Sequence, residues 1–252
     1  MTTWVLLRGL TRERRHWGSF PAQLQSALPG ARIIALDLPG NGVLNTLRSP
    51  STVAAMVQDM RSELQRQGIA PPCHLLAMSL GGMVAIDWAA RYPNEITGAV
   101  LINTSAGRVQ PFHQRLRPSA WPQLLRAALP GLGAEACEHF IARLTSQRLA
   151  TSAAAPPEWV ACRHSHPVSR ANAWRQLLAA LRFEAPRPPP AAPLLLLSSA
   201  GDRLVDPRCS RRLAQAWGAA HAEHPTAGHD LAFDDADWVV QALRTWLSAK
   251  AV

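Results

Sequence analysis

Six short apolar runs, spaced along the chain with helix-patterned stretches between them, constrain the fold more than any other feature. They are Trp4–Leu7, Arg32–Leu36, His74–Ala77, Ala99–Asn103, Pro193–Ser198 and a weaker one near His221–His224. Most are apolar at successive positions and not only at alternate ones, which suits strands covered on both faces. Such strands separated by helices form a parallel sheet. Between them, Val53–Gln67 brings Val53, Met56, Val57, Met60 and Leu64 to one helical face, and Leu80–Tyr92, Arg211–Trp217 and Asp237–Ser248 behave similarly. The pattern predicts an α/β fold with about six strands, all parallel.

One interval breaks the alternation. From Gly107 to Pro190 the pattern is helical, interrupted by Pro118, Pro122, Pro130 and Pro156-Pro157, and it closes on Pro186-Arg187-Pro188-Pro189-Pro190. We read residues 107–190 as a helical cap inserted over the sheet and ending in a stiff proline-rich return. Residues 1–106 and 191–252 then form the core.

The segment His74-Leu75-Leu76-Ala77-Met78-Ser79-Leu80-Gly81-Gly82 reads as strand, tight turn and helix, with Ser79 at the apex. A serine there exposes its hydroxyl, and the backbone N–H groups that follow point outward from a helix N-terminus. A plain N-cap serine would give the same local pattern. What separates the two readings is whether a base and an acid follow. A serine hydroxyl is a weak nucleophile at neutral pH; it needs a base to take its proton and a carboxylate to orient that base.

Both are present. Asp202 follows the run Leu194-Leu195-Leu196-Leu197-Ser198-Ser199-Ala200-Gly201, just beyond a strand end, and is favoured over Asp206, which lies farther on and precedes Pro207. His229 stands behind Gly228, between the last weak strand and the final helix; His221 and His224 come too early, and His164 and His166 fall in the cap. Asp230 is expected to face solvent or serve a local turn. Two backbone donors must also meet the oxyanion that forms on a carbonyl oxygen. Leu80 is one candidate, and Leu10, in the Arg8-Gly9-Leu10-Thr11 loop after the first strand, is the other.

Together these strings resemble the α/β-hydrolase superfamily, in its capped single-domain branch of esterases, thioesterases and related enzymes. The matching segments are Leu7-Arg8-Gly9, Asp37-Leu38-Pro39-Gly40-Asn41-Gly42, the turn at Ser79, Gly201-Asp202-Arg203-Leu204-Val205 and Gly228-His229, in order along nearly the whole chain. Three departures accompany the resemblance. Arg8 stands where the family usually has a histidine, Ala77 replaces the first glycine of the turn, and the family's first two strands have no counterpart, leaving Arg32–Leu36 as an exposed edge.

The resemblance implies a serine hydrolase acting on small carboxylic esters or thioesters through Ser79, Asp202 and His229, with no metal or cofactor. The same triad serves carbon–carbon bond hydrolases and lyases, and some members of the fold only bind ligands. Arg8, Trp17, Trp121, Phe140, Trp159 and Trp174 are candidate pocket residues, although a charged loop with Trp17 tucked under the sheet fits equally, and the cap aromatics could equally form its core.

Charge and cysteine usage limit the partners. The net charge is +9, yet Lys250 is the only lysine, and no zinc-finger spacing, RNP motif or basic recognition helix accompanies the arginines. A nucleic-acid partner is not expected. Residues 107–190 carry eleven arginines against four glutamates. An acidic carrier, coenzyme A or an acyl carrier protein, would find Arg115, Arg117, Arg126, Arg143 and Arg148 there. Cys73, Cys137, Cys162 and Cys209 are scattered without metal-ligand spacing and are expected to be free thiols. No apolar stretch reaches the ~20 residues of a membrane span, and the run at Trp4–Leu7 leads into charge and not into a signal-peptide core. A cytoplasmic protein is expected.

Overall fold

A computed structural model describes residues 2–129 and 131–249. Its strands are β1 (Thr3–Leu7), β2 (Arg32–Leu36), β3 (Cys73–Met78), β4 (Ile96–Ile102), β5 (Leu194–Ser199) and β6 (Ala220–His224). They form one six-stranded sheet in the order β2-β1-β3-β4-β5-β6, with every neighbouring pair parallel. α1 (Phe20–Ala27), α2 (Val53–Arg66) and α3 (Leu80–Arg91) connect the first four strands. α4 (Phe112–Arg115), α5 (Trp121–Ala127), α6 (Ala134–Thr145), α7 (Pro157–Ser165) and α8 (Arg170–Arg182) lie between β4 and β5. α9 (Arg208–Trp217), α10 (Leu231–Asp234) and α11 (Ala236–Ser248) complete the chain.

The strand side chains alternate between two cores, because successive Cβ atoms point to opposite sides of a pleated strand. Val5, Leu7, Leu75, Ala77, Leu101 and Leu196 face one way, toward α2 and α3, where Met56, Val57, Met60 and Leu64 meet them. Trp4, Leu6, Leu76, Met78, Val100 and Leu197 face the other way, toward Phe20 and Leu24 of α1 and Val239, Leu243 and Trp246 of α11. Coverage on both faces is the physical reason the strands read as unbroken apolar runs. The edge strand β2 is only partly buried along most of its length.

Strand order places the functional ends. The chain runs from β1 outward to β2, then returns to the opposite side of β1 to lay down β3. β1 and β3 are level at their carboxyl ends, with Leu7 opposite Ala77. The loops leaving them diverge there, and such a reversal point opens the crevice in which parallel α/β sheets bind ligands. Helix α3 starts at that point and approaches β1 closely. A Cβ on Gly81 would lie 2.5 Å from the carbonyl oxygen of Leu7, so this position of the first turn has no room for a side chain. Among the described residues, no helix is long and apolar enough to cross a membrane.

Candidate active site

Ser79 separates β3 from α3 with φ +54° and ψ −118°. A non-glycine residue held there stores roughly 1–3 kcal/mol of backbone strain, tolerated where the surroundings dictate it. Here they do. The Ser79 N–H donates to the Ile102 carbonyl at 2.9 Å, and the Ser79 carbonyl accepts from the Thr104 hydroxyl at 2.8 Å. Its neighbours Met78 and Leu80 are buried while Ser79 is partly accessible. Leu80 opens α3, so its N–H has no carbonyl one turn behind it in the helix.

The loop after β1 lies against this turn. A Cβ on Gly9 would come within 3.1 Å of the Ser79 Cβ and 3.6 Å of its Oγ, so glycine lets the backbone approach the serine. Arg12 N–H closes the loop onto the Gly9 carbonyl at 3.2 Å, and Thr11, at φ +56°, donates its N–H to Oε1 of Gln176 at 2.8 Å. Neither bond uses the N–H of Leu10. Gln176, fully buried on α8, also donates to Oδ1 of Asn41 at 2.7 Å and to the Ser49 hydroxyl at 3.0 Å. One carboxamide thereby ties the helical segment to two loops at the carboxyl edge of the sheet.

His229 and Asp202 meet in the same region, 4 % and 1 % exposed. The separation from His229 Nδ1 to Asp202 Oδ2 is 2.7 Å; a carboxylate can only accept, so Nδ1 carries the proton and Nε2 is left as the acceptor. The other oxygen, Asp202 Oδ1, accepts the N–H groups of Leu204 and Val205 at 2.7 and 2.9 Å. The rival Asp206 is held by the guanidinium of Arg208, whose hydrogen bonds keep its carboxyl below the usual range. His224 pairs with Asp235 and not with Asp202.

Two supporting residues were not recognised from sequence. Asn103, at φ +47° beyond β4, donates Nδ2 to the carbonyls of His229 (2.8 Å) and Gly228 (3.3 Å) and to the Ser199 hydroxyl (3.0 Å), while its Oδ1 accepts the Ser199 N–H. The available signal was an amide side chain closing the apolar run Ala99–Asn103. Asp230 is the second: of its two expected places the turn is present, its carbonyl accepting the N–H groups of Phe233 and Asp234 at 3.0 Å, but its side chain does not face solvent. It is buried in a bidentate pair with Arg8, at 3.0 and 2.6 Å, and its N–H donates to the Thr145 carbonyl at 2.7 Å.

Arg8, a candidate pocket residue, is committed to this buried ion pair. Its guanidinium is 2 % exposed, stacked 4.7 Å from the Trp17 ring, and bridges the loop carrying Gly9 to the loop carrying His229. Trp17 is likewise buried, stacked on Phe20 in the core beneath the sheet. Among the other aromatic candidates, Trp159 is buried between Arg12, His16 and Phe233. Phe140 is partly buried beside His139. Trp121 and Trp174 are exposed at 43 % and 69 %, with Trp121 against Phe112. Four of the five arginines read as a carrier surface hold backbone carbonyls: Arg115 those of Ala180 and Leu181, Arg117 that of Asp202, Arg143 that of Ala150 and Arg148 that of Phe233.

Beside the Gly9 loop lies a buried charged cluster. Arg12 and Arg163 each reach Glu138 at 2.6 Å. Burial raises the Glu138 carboxyl, but the two guanidiniums outweigh it and hold it below the usual range. Burial, then the Arg12 and Arg8 charges, push His16 well below an ordinary histidine. Ligand atoms of Glu13, His16 and Cys162 lie within 4.8 Å of one another, a spacing that invites a metal reading. Their bonding opposes it. His16 Nε2 accepts from Arg12 at 2.9 Å, the Glu13 carboxylate is held by Arg15, and burial lifts the Cys162 thiol to about 12. A dication here would face Arg12, Arg15 and Arg163 at close range. All four cysteines are buried and unbridged.

Comparison with known proteins agrees with this architecture. Residues 4–242 match the model of the alpha/beta hydrolase family. A Klebsiella pneumoniae protein named as the carbamate hydrolase RutD is 28 % identical over 260 residues, covering 97 % of this chain and 91 % of that one. A shorter match to a Schizosaccharomyces pombe protein, 32 % identical over 82 residues, spans only 15 % of that protein. Among solved structures, a thermophilic esterase from Thermogutta terrifontis superposes with a TM-score of 0.70 at 24 % identity, covering 99 % of this chain and 90 % of that one. The enol-lactonase from Burkholderia xenovorans LB400 gives 0.75 at 22 %, covering 98 % and 92 %. With the parallel sheet, the turn at Ser79 and a family match over nearly its whole length, the chain belongs to the alpha/beta hydrolase family.

Proposed function

We propose that this protein is a serine hydrolase that cleaves carboxylic esters or thioesters of small acyl substrates. The observation that carries the reading is the His229–Asp202 bond at 2.7 Å, with Nε2 free to accept a proton, in a sheet whose reversal point holds Ser79 against Gly9.

In this mechanism His229 Nε2 takes the Ser79 hydroxyl proton as Oγ attacks the carbonyl carbon. The negative charge that develops on the carbonyl oxygen is met by the N–H groups of Leu10 and Leu80. His229, now doubly protonated, gives its proton to the departing alcohol or thiol, leaving an acyl group on Oγ. Water then attacks that acyl group, with His229 taking and returning a proton in the same way. Asp202 stays ionised throughout, because its remaining oxygen is saturated by two backbone N–H groups.

Incubation with a fluorophosphonate probe, followed by peptide mapping, tests the nucleophile without a guess at the substrate. Label on Ser79, absent from Ser79→Ala, is the expected result. A panel of acyl esters and thioesters of graded length then ranks substrates on the wild type; undiminished turnover by Ser79→Ala would refute the assignment. A carrier-borne thioester is supported by the arginine excess of residues 107–190, and for such a substrate KM should climb steeply with salt. Unbridged thiols and the lack of a spanning helix among the described residues support action in the cytoplasm.

A further inference from the structure

A pocket of about 340 Å³ opens where the helical segment meets the loop that carries Asp202. It is lined by Arg117, Ser119 and Gln123, by Leu144 and Gln147, and by Ala200 to Arg203, with neither Ser79 nor His229 in its wall. Its volume lies at the lower end of the ~300–1,000 Å³ range of small-molecule sites.

The lining is unusual in sign. Two guanidiniums border the pocket, and among the described residues neither is paired with a carboxylate. Arg117 donates to the Asp202 carbonyl at 2.8 Å and Arg203 to Oε1 of Gln147 at 3.1 Å, both neutral acceptors, and the carboxylate whose field Arg117 feels, Asp206, is hydrogen-bonded by Arg208 instead. The one acid in the wall, Asp202, has both oxygens committed to His229, Leu204 and Val205. The nearby Asp206 is committed to Arg208. Gln123, partly buried, contributes a carboxamide whose enclosed oxygen has no partner, so this amide can turn either end to a guest. Ser119 adds a hydroxyl.

We propose that this pocket binds a phosphate group, free or carried on a larger molecule, clasped by Arg117 and Arg203. Guanidinium groups match such anions by parallel hydrogen bonds, and a partly enclosed site strengthens the charge attraction relative to open water. A bound anion would join Arg117 of the helical segment to Arg203 of the sheet, and so reinforce an attachment already made by the Arg117 N–H donating to the Leu204 carbonyl at 2.9 Å.

The test is thermal unfolding of the full chain against inorganic phosphate in one arm and coenzyme A in another, with ionic strength held constant by sodium chloride. At tenfold above half-saturation the wild type should gain about 3–6 °C. Arg203→Gln should raise the half-saturating concentration at least tenfold, Arg117→Gln likewise, and Arg126→Gln, outside the pocket, should leave it unchanged. A shift with phosphate alone assigns a free anion; a shift with both assigns a phosphate delivered on a larger molecule. No saturable shift in either arm, or equal shifts in Arg203→Gln and wild type, overturns the proposal. Ser79→Ala is run in parallel. It should bind as the wild type does, which separates this site from the ester chemistry.

Discussion

Replacing Asp230 by asparagine removes one charge from a deeply buried ion pair, both partners 2 % exposed, while keeping the side chain's shape. The Arg8 guanidinium would stay behind, 2 % exposed, with one neutral hydrogen bond to the asparagine oxygen in place of the bidentate ion pair, beside the Trp17 ring at 4.7 Å and the Met78 sulfur at 3.5 Å. Breaking a buried pair from one side costs about 3–5 kcal/mol, because the remaining charge is stranded away from water. A desolvated cation–π contact is worth about 2 kcal/mol or more, but here it exists before and after the change and so offsets none of the loss. For a chain of this length, about 2–4 °C of Tm per kcal/mol gives a fall on the order of 10 °C. The double variant Arg8→Met, Asp230→Leu removes both charges, and such replacements are neutral to stabilising by about 1–4 kcal/mol. Its Tm should recover. Activity should not, because the same pair links the loops bearing Gly9 and His229. The assay is calorimetry beside kcat and KM for one ester on all three proteins. An Asp230→Asn protein within ~1 kcal/mol of wild type, or a double variant with wild-type kcat, would refute this reasoning.

Asn103→Ala should lower kcat by roughly ten- to a hundredfold with KM little changed, since displacing the His229 loop by a fraction of an ångström disturbs geometry more than binding. Gln176→Leu strands the Thr11 N–H and should cost about 1–3 kcal/mol in urea unfolding together with a drop in kcat, while Gln176→Glu, which keeps the acceptor, should restore part of the rate. His16 has a folded-state pKa held well below 6.5 by burial and by Arg12, Arg8 and Arg163. The unfolded chain therefore binds the extra proton first, so His16 contributes stability above about pH 6.5 that is lost as pH falls below it. Tm measured between pH 7 and pH 5 should decline less steeply in His16→Gln; an identical slope would rule out this source.

The number of strands, their parallel direction and the meeting of Asp202 with His229 were legible because each follows from local pattern. An unbroken apolar run marks a strand covered on two faces, and a polar residue just past its end marks the carboxyl edge where catalytic groups collect. Helix α2 illustrates the same logic. Its buried face, Val53, Met56, Val57, Met60 and Leu64, is the one that 3.6-residue spacing selects. Helix α9 starts three residues before the periodic stretch suggests, at Arg208 after Pro207, and its first turn buries Cys209 and Ser210. Asp230 and Asn103 were not legible. What each does depends on a partner more than ninety residues away, and no local spacing encodes that.

The arginines show that positive charge also works inside the molecule. Besides offering charge to an acidic partner, Arg8, Arg12, Arg115, Arg117 and Arg148 hold carboxylates or carbonyls of their own chain, in loops at the carboxyl edge of the sheet and on α6, α8 and α10. A planar fork of five donors suits that work, since one side chain can satisfy acceptors from two segments at fixed angles. Lysine carries the same charge on a single point. Arg8→Lys therefore tests whether charge or geometry ties the Gly9 and His229 loops. If the bidentate fork matters, Arg8→Lys should lose about 1–3 kcal/mol and part of kcat even though the ion pair survives. If charge alone suffices, Arg8→Lys should match the wild type in both, and the geometric account of this arginine fails.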